Sequence, residues 1–148
     1  MSDSEAPRLA ILLAKLSKAV YRKSEEALSG MSLKDYIALA KLDDRGVPQQ
    51  RLAESLGMDE NNLVLLLNGL EDAGLIARRR DPDDRRRHIV EITPRGKKVR
   101  ERAEHAMATV EEDLFYALSP SERATLHQLV RRILESQATS AKAETARA

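Results

Sequence analysis

The chain contains no cysteine, which excludes disulfides, thiolate nucleophiles and cysteine-based redox sensing. Tryptophan is absent and aromatics amount to 3%. A core drawn from a 42% hydrophobic content must then consist of Leu, Ile, Val and Ala, a composition that favours helices. No long apolar run exists either. Runs such as Leu63-Val64-Leu65-Leu66-Leu67 fall far short of the roughly 20 residues needed to cross a bilayer. The opening MSDSEAPR is polar and acidic, unlike a signal peptide, so the expectation is a cytoplasmic protein with no membrane partner.

Chemistry-bearing clusters are equally scarce. The three histidines, His88, His105 and His127, are far apart and form no His-Glu-x-x-His motif, so no metal site is expected. The glycines form no phosphate-binding loop, and nothing pairs a nucleophile with a base. The chain is expected to be no enzyme and to need no cofactor. His88 shares a strand face with Val90, which predicts a partly buried structural histidine.

Charge is unevenly distributed. The net charge is +1 over 148 residues. Between Arg78 and Arg102, however, eleven basic residues face five acidic ones, leaving the rest of the chain at −5. A basic segment in an acidic chain suggests a local polyanion contact; a solvated charged surface is the alternative.

The length suits a single domain, or one with helical extensions. Residues 1–7 read as disordered. Leu9, Leu12, Leu13, Leu16 and Val20 recur at helical spacing, predicting a helix from about Arg8 to Leu28 within an N-terminal segment 8–30. Ser32, with Asp35 three residues on, caps a second short helix. Residues 43–48 read as a turn. A third helix runs from Gln49 to Leu56 and stops at Gly57; a fourth is capped by Asp59 and closed by Gly74. Two short helices joined through Gly57-Met58-Asp59 make a helix-turn-helix. Two strands follow, about 75–80 and 87–93, around the turn Asp81-Pro82-Asp83-Asp84. Their hairpin carries Arg85, Arg86 and Arg87 at its tip, so residues 31–93 read as a winged helix.

Thr93 and Pro94 then start a long helix with a stripe of Val99, Ala103, Ala106, Val110, Leu114 and Ala117. Ser119-Pro120-Ser121-Glu122 is a capping box, and Leu126, Leu129, Val130, Ile133 and Leu134 mark a last amphipathic helix. Segment 94–136 is thus helical, and 137–148 reads as a flexible tail. The fold class is mainly α with a small β-hairpin wing, the winged helix-turn-helix being flanked by terminal helices. Their apolar stripes must be buried. A second copy of the chain is the favoured partner, because closed oligomers are mostly two-fold dimers; packing on the chain's own domain is the alternative.

The run Gln50-Arg51-Leu52-Ala53-Glu54-Ser55-Leu56-Gly57, the run Leu70-Glu71-Asp72-Ala73-Gly74-Leu75-Ile76, and above all Arg80-Asp81-Pro82-Asp83-Asp84-Arg85-Arg86 followed by Val90-Glu91-Ile92-Thr93-Pro94-Arg95-Gly96 resemble the motifs of the MarR family of winged-helix regulators. The resemblance covers about residues 8–136. It implies an α-rich homodimer joined through the terminal helices, binding double-stranded DNA as a transcriptional regulator, usually a repressor.

The fourth helix is then the recognition helix. Asn61, Asn62, Leu65 and Asn68 face outward, opposite Leu63, Leu66, Leu67 and Leu70. Asparagine can hydrogen-bond adenine in pairs, and Leu65 can touch a thymine methyl; the plainer reading of Asn61 and Asn62 is first-turn stabilisation. The family's usual Ser or Thr and Arg or Lys near Val64 and Leu65, and its frequent Arg near Gly69, are missing. That departure motivates an alternative, a winged-helix module that docks proteins.

The resemblance makes Arg86 the groove-inserting residue of the wing, with Arg85 beside it, and has Asp84 hold the wing's shape; Asp84 also reads as a plain turn residue. Arg78, Arg79, Arg87, Lys97 and Lys98 are phosphate contacts or solvated charges. Gln49, Gln50 and Arg51 open the third helix, whose N-terminus can meet a phosphate. The resemblance also places a small-molecule effector site near Tyr21, Tyr36 and Phe115, although Tyr36 equally suits plain packing.

Overall fold

A computed structural model describes residues 7–147 of the chain. The disordered N-terminus expected over residues 1–7 lies outside the described residues, Pro7 apart. The element order is α1 (Leu9–Leu28), α2 (Leu33–Ala40), β1 (Val47–Pro48), α3 (Gln49–Leu56), α4 (Glu60–Asp72), β2 (Ile76–Arg80), β3 (His88–Ile92), α5 (Pro94–Leu114) and α6 (Pro120–Arg147). One compact unit ends at Val110 and a second begins at Glu111.

The helices start and stop where local chemistry dictates. At α2 the Ser32 hydroxyl accepts the Asp35 amide at 3.1 Å while the Asp35 carboxylate accepts the Ser32 amide at 3.3 Å, a reciprocal box. Gly57 ends α3 in the left-handed conformation, φ 62°. Two residues later Asp59 caps α4 by accepting the Asn62 amide at 2.8 Å. The helix-turn-helix bend is therefore written by adjacent stop and start signals.

In the first unit α2, α3, α4 and the sheet bury one core. Ala38, Leu39, Leu52, Leu63, Leu67 and Val90 are fully enclosed, with Leu70, Leu75 and Ile76 beside them. A second cluster joins Leu28 of α1, Leu33 of α2 and Ala103 of α5, with Tyr36, Ile37, Ala106 and Met107 packed around it. Arg100 of α5 donates to the Leu39 carbonyl of α2 at 3.4 Å and, just past that helix, to the Leu42 carbonyl at 2.7 Å.

The sheet has three antiparallel strands in the order β1-β3-β2. The expected hairpin is its β2-β3 part. The turn expected over 43–48 ends in β1, where Val47 pairs with Val90. Gly46, at φ +85°, lies so close to Ile89 that a Cβ there would fall 2.6 Å from its Cγ2. Val90 and Ile92 face the core as their alternation requires. His88 does not: it is exposed, because it pairs with Arg80 at the open end of the ladder, beyond the core.

In the second unit Ser119 and Glu122 form a capping box at the start of α6, with bonds of 2.9 and 3.2 Å. Arg123 pairs with Glu112 at 2.9 Å and donates to the Phe115 carbonyl. The segment expected to be a flexible tail, 137–148, is helical as far as Arg147. It contains Ala, Lys, Glu and Arg and no Gly or Pro, so nothing in it interrupts a helix. Leu129, Val130, Ile133 and Leu134 of α6 are exposed, as are Leu9, Ile11, Leu12 and Leu13 of α1.

Candidate nucleic-acid interface

The wing is built by its own backbone and by two aspartates. The Asp81 amide donates to the Arg87 carbonyl and the Arg87 amide to the Asp84 carbonyl, both at 2.9 Å. The Asp81 carboxylate accepts the Asp83 amide at 2.9 Å and the Asp84 carboxylate accepts the Arg86 amide at 3.1 Å, so each closes a tight local turn. Asp84 also lies 3.5 Å from Nε of Arg86. Arg80 clamps the tip from the strand side, donating to the Arg85 carbonyl at 3.1 Å. These bonds use backbone groups and leave the cationic side chains outside. Arg86 is 94% exposed, and the side chains of Arg85 and Arg87 have no hydrogen-bond or ion-pair partner among the described residues.

The base of the wing meets the start of α3. Arg86, Arg87 and His88 line a cleft of about 230 Å³ with Gln49, Gln50 and Glu60. Gln50 and Arg51 are exposed at the first turn of α3, where free amide donors gather.

Along α4 the buried side is Leu63, Leu67 and Leu70, with Leu66 half-buried, and Asn61, Asn62, Leu65 and Asn68 are exposed. Leu65 is 70% exposed. The asparagines are not equivalent. Asn61 has no side-chain partner among the described residues. Asn62 donates its backbone amide and its side-chain Nδ2, at 2.8 and 3.0 Å, to the two carboxylate oxygens of Asp59. Asn68 accepts from Arg78 at 2.6 Å.

The basic residues divide likewise. Arg78 is folded onto α4, with Nε and Nη2 at 3.3 and 3.1 Å from the Glu71 carboxylate. The guanidinium lowers the Glu71 carboxyl pKa below its usual value, chiefly through that hydrogen bond. Arg79 pairs with Glu91. Lys97 pairs with Asp44, whose pKa it depresses through the hydrogen bond and its charge. Among the described residues Arg51, Arg85, Arg86 and Arg87 stay outward on the wing and α3, and Lys98 is exposed on α5. Sequence reasoning missed Arg80 as the clamp and Glu71 as the anchor of Arg78. The Asp-x-Asp spacing of the wing was the readable sign of its turns; the Glu71 pairing left no local sign.

The three residues expected near an effector each have their own surroundings. Tyr21 lines an open cleft of about 700 Å³ with Lys34, Ile37, Met58, Leu65 and Leu66. Tyr36 packs instead against the Leu28, Leu33 and Ala103 cluster. Phe115 belongs to the second unit and is half-buried there. No group of three or more His, Asp or Glu residues suited to a metal occurs among the described residues, and no helix is long and apolar enough to cross a membrane.

The MarR family model matches residues 32–88, the segment that carries the helix-turn-helix and the wing tip. A transcriptional regulatory protein assigned to the hcr operon of Thauera aromatica is 38% identical over 88 residues, 60% of this chain. The match spans about half of that relative, 53% of its length. The crystal structure of MarR has a TM-score of 0.82 at 25% identity, with 96% of this chain and 98% of that one covered. The transcriptional repressor CouR, bound to a 23-mer DNA duplex, has a TM-score of 0.80 at 30% identity, with 86% and 92% covered.

Proposed function

The chain belongs to the MarR family, and on that premise we propose that it is a sequence-specific DNA-binding transcriptional regulator, a repressor that acts in the cytoplasm as a homodimer on a pseudo-palindromic site and catalyses no reaction. The observation that carries this reading is the wing. Its backbone bonds are satisfied internally while Arg85, Arg86 and Arg87 stay unburied, and a guanidinium that is planar and weakly hydrated suits a narrow minor groove. In this reading Arg86 enters the groove and Asp84 shapes the turn that presents it. Asn61, Asn62, Leu65 and Asn68 face the major groove, and Gln50 and Arg51 meet a phosphate at the start of α3. Arg78 acts through α4 rather than on the backbone, since its guanidinium is committed to Glu71 and Asn68.

The exposed apolar residues of α6, and separately those of α1, each offer a second copy something to bury. The cleft beside Tyr21 supplies a place for a small organic effector. Its Lys34 suits an anionic group, and its position beside Leu65 and Leu66 of α4 gives such a ligand leverage on DNA contact.

The test is selection from random-core duplexes followed by anisotropy titration at two salt concentrations. An enriched inverted repeat, with affinity falling as salt rises, is the expected result. Weak binding with no enriched sequence would overturn the reading and favour the second one, a winged-helix module that docks a protein. Leu65 and the lack of any Lys or Arg in α4 are the observations on its side.

A further inference from the structure

Two of the outward asparagines on α4 are already hydrogen-bonded within the chain, and from opposite ends of the amide. Arg78 reaches back from β2 so that its Nη2 donates to Asn68 Oδ1 at 2.6 Å, while Glu71 holds the same guanidinium. A guanidinium only donates, so this contact fixes which end of the Asn68 amide is oxygen. The oxygen is engaged by a cation. Nδ2 has no partner among the described residues and is the end on offer. At the other end of the helix Asn62 is reversed, with Nδ2 given to Asp59 at 3.0 Å and Oδ1 on offer.

This alters what Asn68 can read. Adenine is recognised by an amide that accepts from its N6 amino group and donates to its N7. Oδ1 keeps a second lone pair, but an amino group brought onto it would crowd the guanidinium's own donors and approach its positive charge, which disfavours the contact. Guanine presents two acceptors, O6 and N7, which suit a donor backed by that charge. We infer that Asn68, positioned by Arg78, is a specificity-determining residue that favours guanine over adenine at one base pair in each half-site. The inference rests on the reading of α4 as the helix that enters the major groove. Phosphate oxygens are acceptors too, but a phosphate contact carries no base preference, and that separates the two targets.

The experiment is selection with random-core duplexes for the wild-type chain, Asn68→Ala and Arg78→Met, each checked for a cooperative melting transition well above the binding temperature and for an unchanged oligomeric mass. Wild type is expected to enrich guanine at the position where Asn68→Ala loses its preference, by roughly five-fold, the low end of a good side-chain–base contact. Arg78→Met frees Oδ1 and is expected to raise adenine to at least the level of guanine there, with other positions unchanged. Uniform weakening of both variants with an unaltered base profile would overturn the inference and mark a phosphate contact; adenine enriched by wild type at that position would overturn it as well. If wild type enriches no sequence, the regulator reading itself fails and takes the inference with it.

Discussion

A Cβ placed on Gly96 would lie 2.0 Å from the carbonyl oxygen of Leu75. That oxygen cannot retreat cheaply, because it accepts the Thr93 amide at 3.0 Å. The Thr93 hydroxyl in turn donates to the Gly74 carbonyl at 2.7 Å and accepts the Gly96 amide at 3.0 Å. The turn behind α4, the end of β3 and the first turn of α5 are thus pinned at one point, and glycine is required there for room, not for backbone freedom. Gly96→Ala is expected to destabilise the protein by about 1–3 kcal/mol or more, as overpacking does. Gly69, inside α4, meets nothing within 4 Å, and Gly69→Ala is expected to add up to about 1 kcal/mol through helix propensity. Chemical denaturation of both variants checks the opposite signs.

The arginine tip should be separable from the fold. Arg86→Ala removes a side chain that is 94% exposed and is expected to leave the melting temperature unchanged. In DNA titrations it should weaken binding at every sequence and lower the salt slope by about 1, the value for one lost phosphate-region contact. Unchanged affinity would remove the wing from the interface.

Glu71 makes the anchoring of Arg78 dependent on pH. Its pKa in the folded chain is lowered from 4.5, so the stability it contributes is fully present above that value and is lost as pH falls through the lower folded value. Glu71→Gln lacks this contribution at all pH values. Wild type should therefore exceed Glu71→Gln in urea midpoint at pH 7, and the gap should close at pH values well below 4.5. A constant gap would mean that the pairing with Arg78 does not carry the difference.

Ser24 is fully buried in α1, and its hydroxyl has no hydrogen-bond partner among the described residues. Folding strips that hydroxyl of water without replacing the bond, a cost of about 1–3 kcal/mol. Ser24→Ala is expected to raise stability by around 1 kcal/mol, since alanine is also the better helix former. A loss of stability would reveal a partner for the hydroxyl.

Most element boundaries were legible because stop and start signals are local: Ser32 with Asp35, Gly57 followed by Asp59, and Ser119 with Glu122 each act within a few residues. Strand β1 was not legible, because two residues carry no periodicity and Pro48 argues against a strand. The exposure of His88 was missed because alternation gives a side chain's face but not the point where the core ends. The outward face of α4 could be read from helical spacing. The state of its asparagines could not, because Asn68 and Arg78 meet only once the hairpin folds back on the helix. Partner choice among charged and amide groups is a tertiary property, and here it decides which groups of α4 and the wing remain free.

Self-association should be sensitive to single charges on α6. Leu129, Val130, Ile133 and Leu134 follow an i, i+1, i+4, i+5 pattern that places them on one stripe, and all are exposed in the isolated chain. Burying a large aliphatic side chain yields about 1.5–3 kcal/mol, and across a two-fold axis each position occurs twice. Ile133→Glu removes that gain in both copies and places two carboxylates in an apolar contact, so the penalty outweighs any single apolar truncation. The wild-type chain is expected to scatter light as twice 16.5 kDa at micromolar concentration, and the variant as the single chain with its secondary structure intact. Affinity for a duplex carrying two half-sites should collapse, while affinity for one half-site is retained. A variant that remains dimeric would place the interface elsewhere, with the exposed leucines of α1 the next surface to charge.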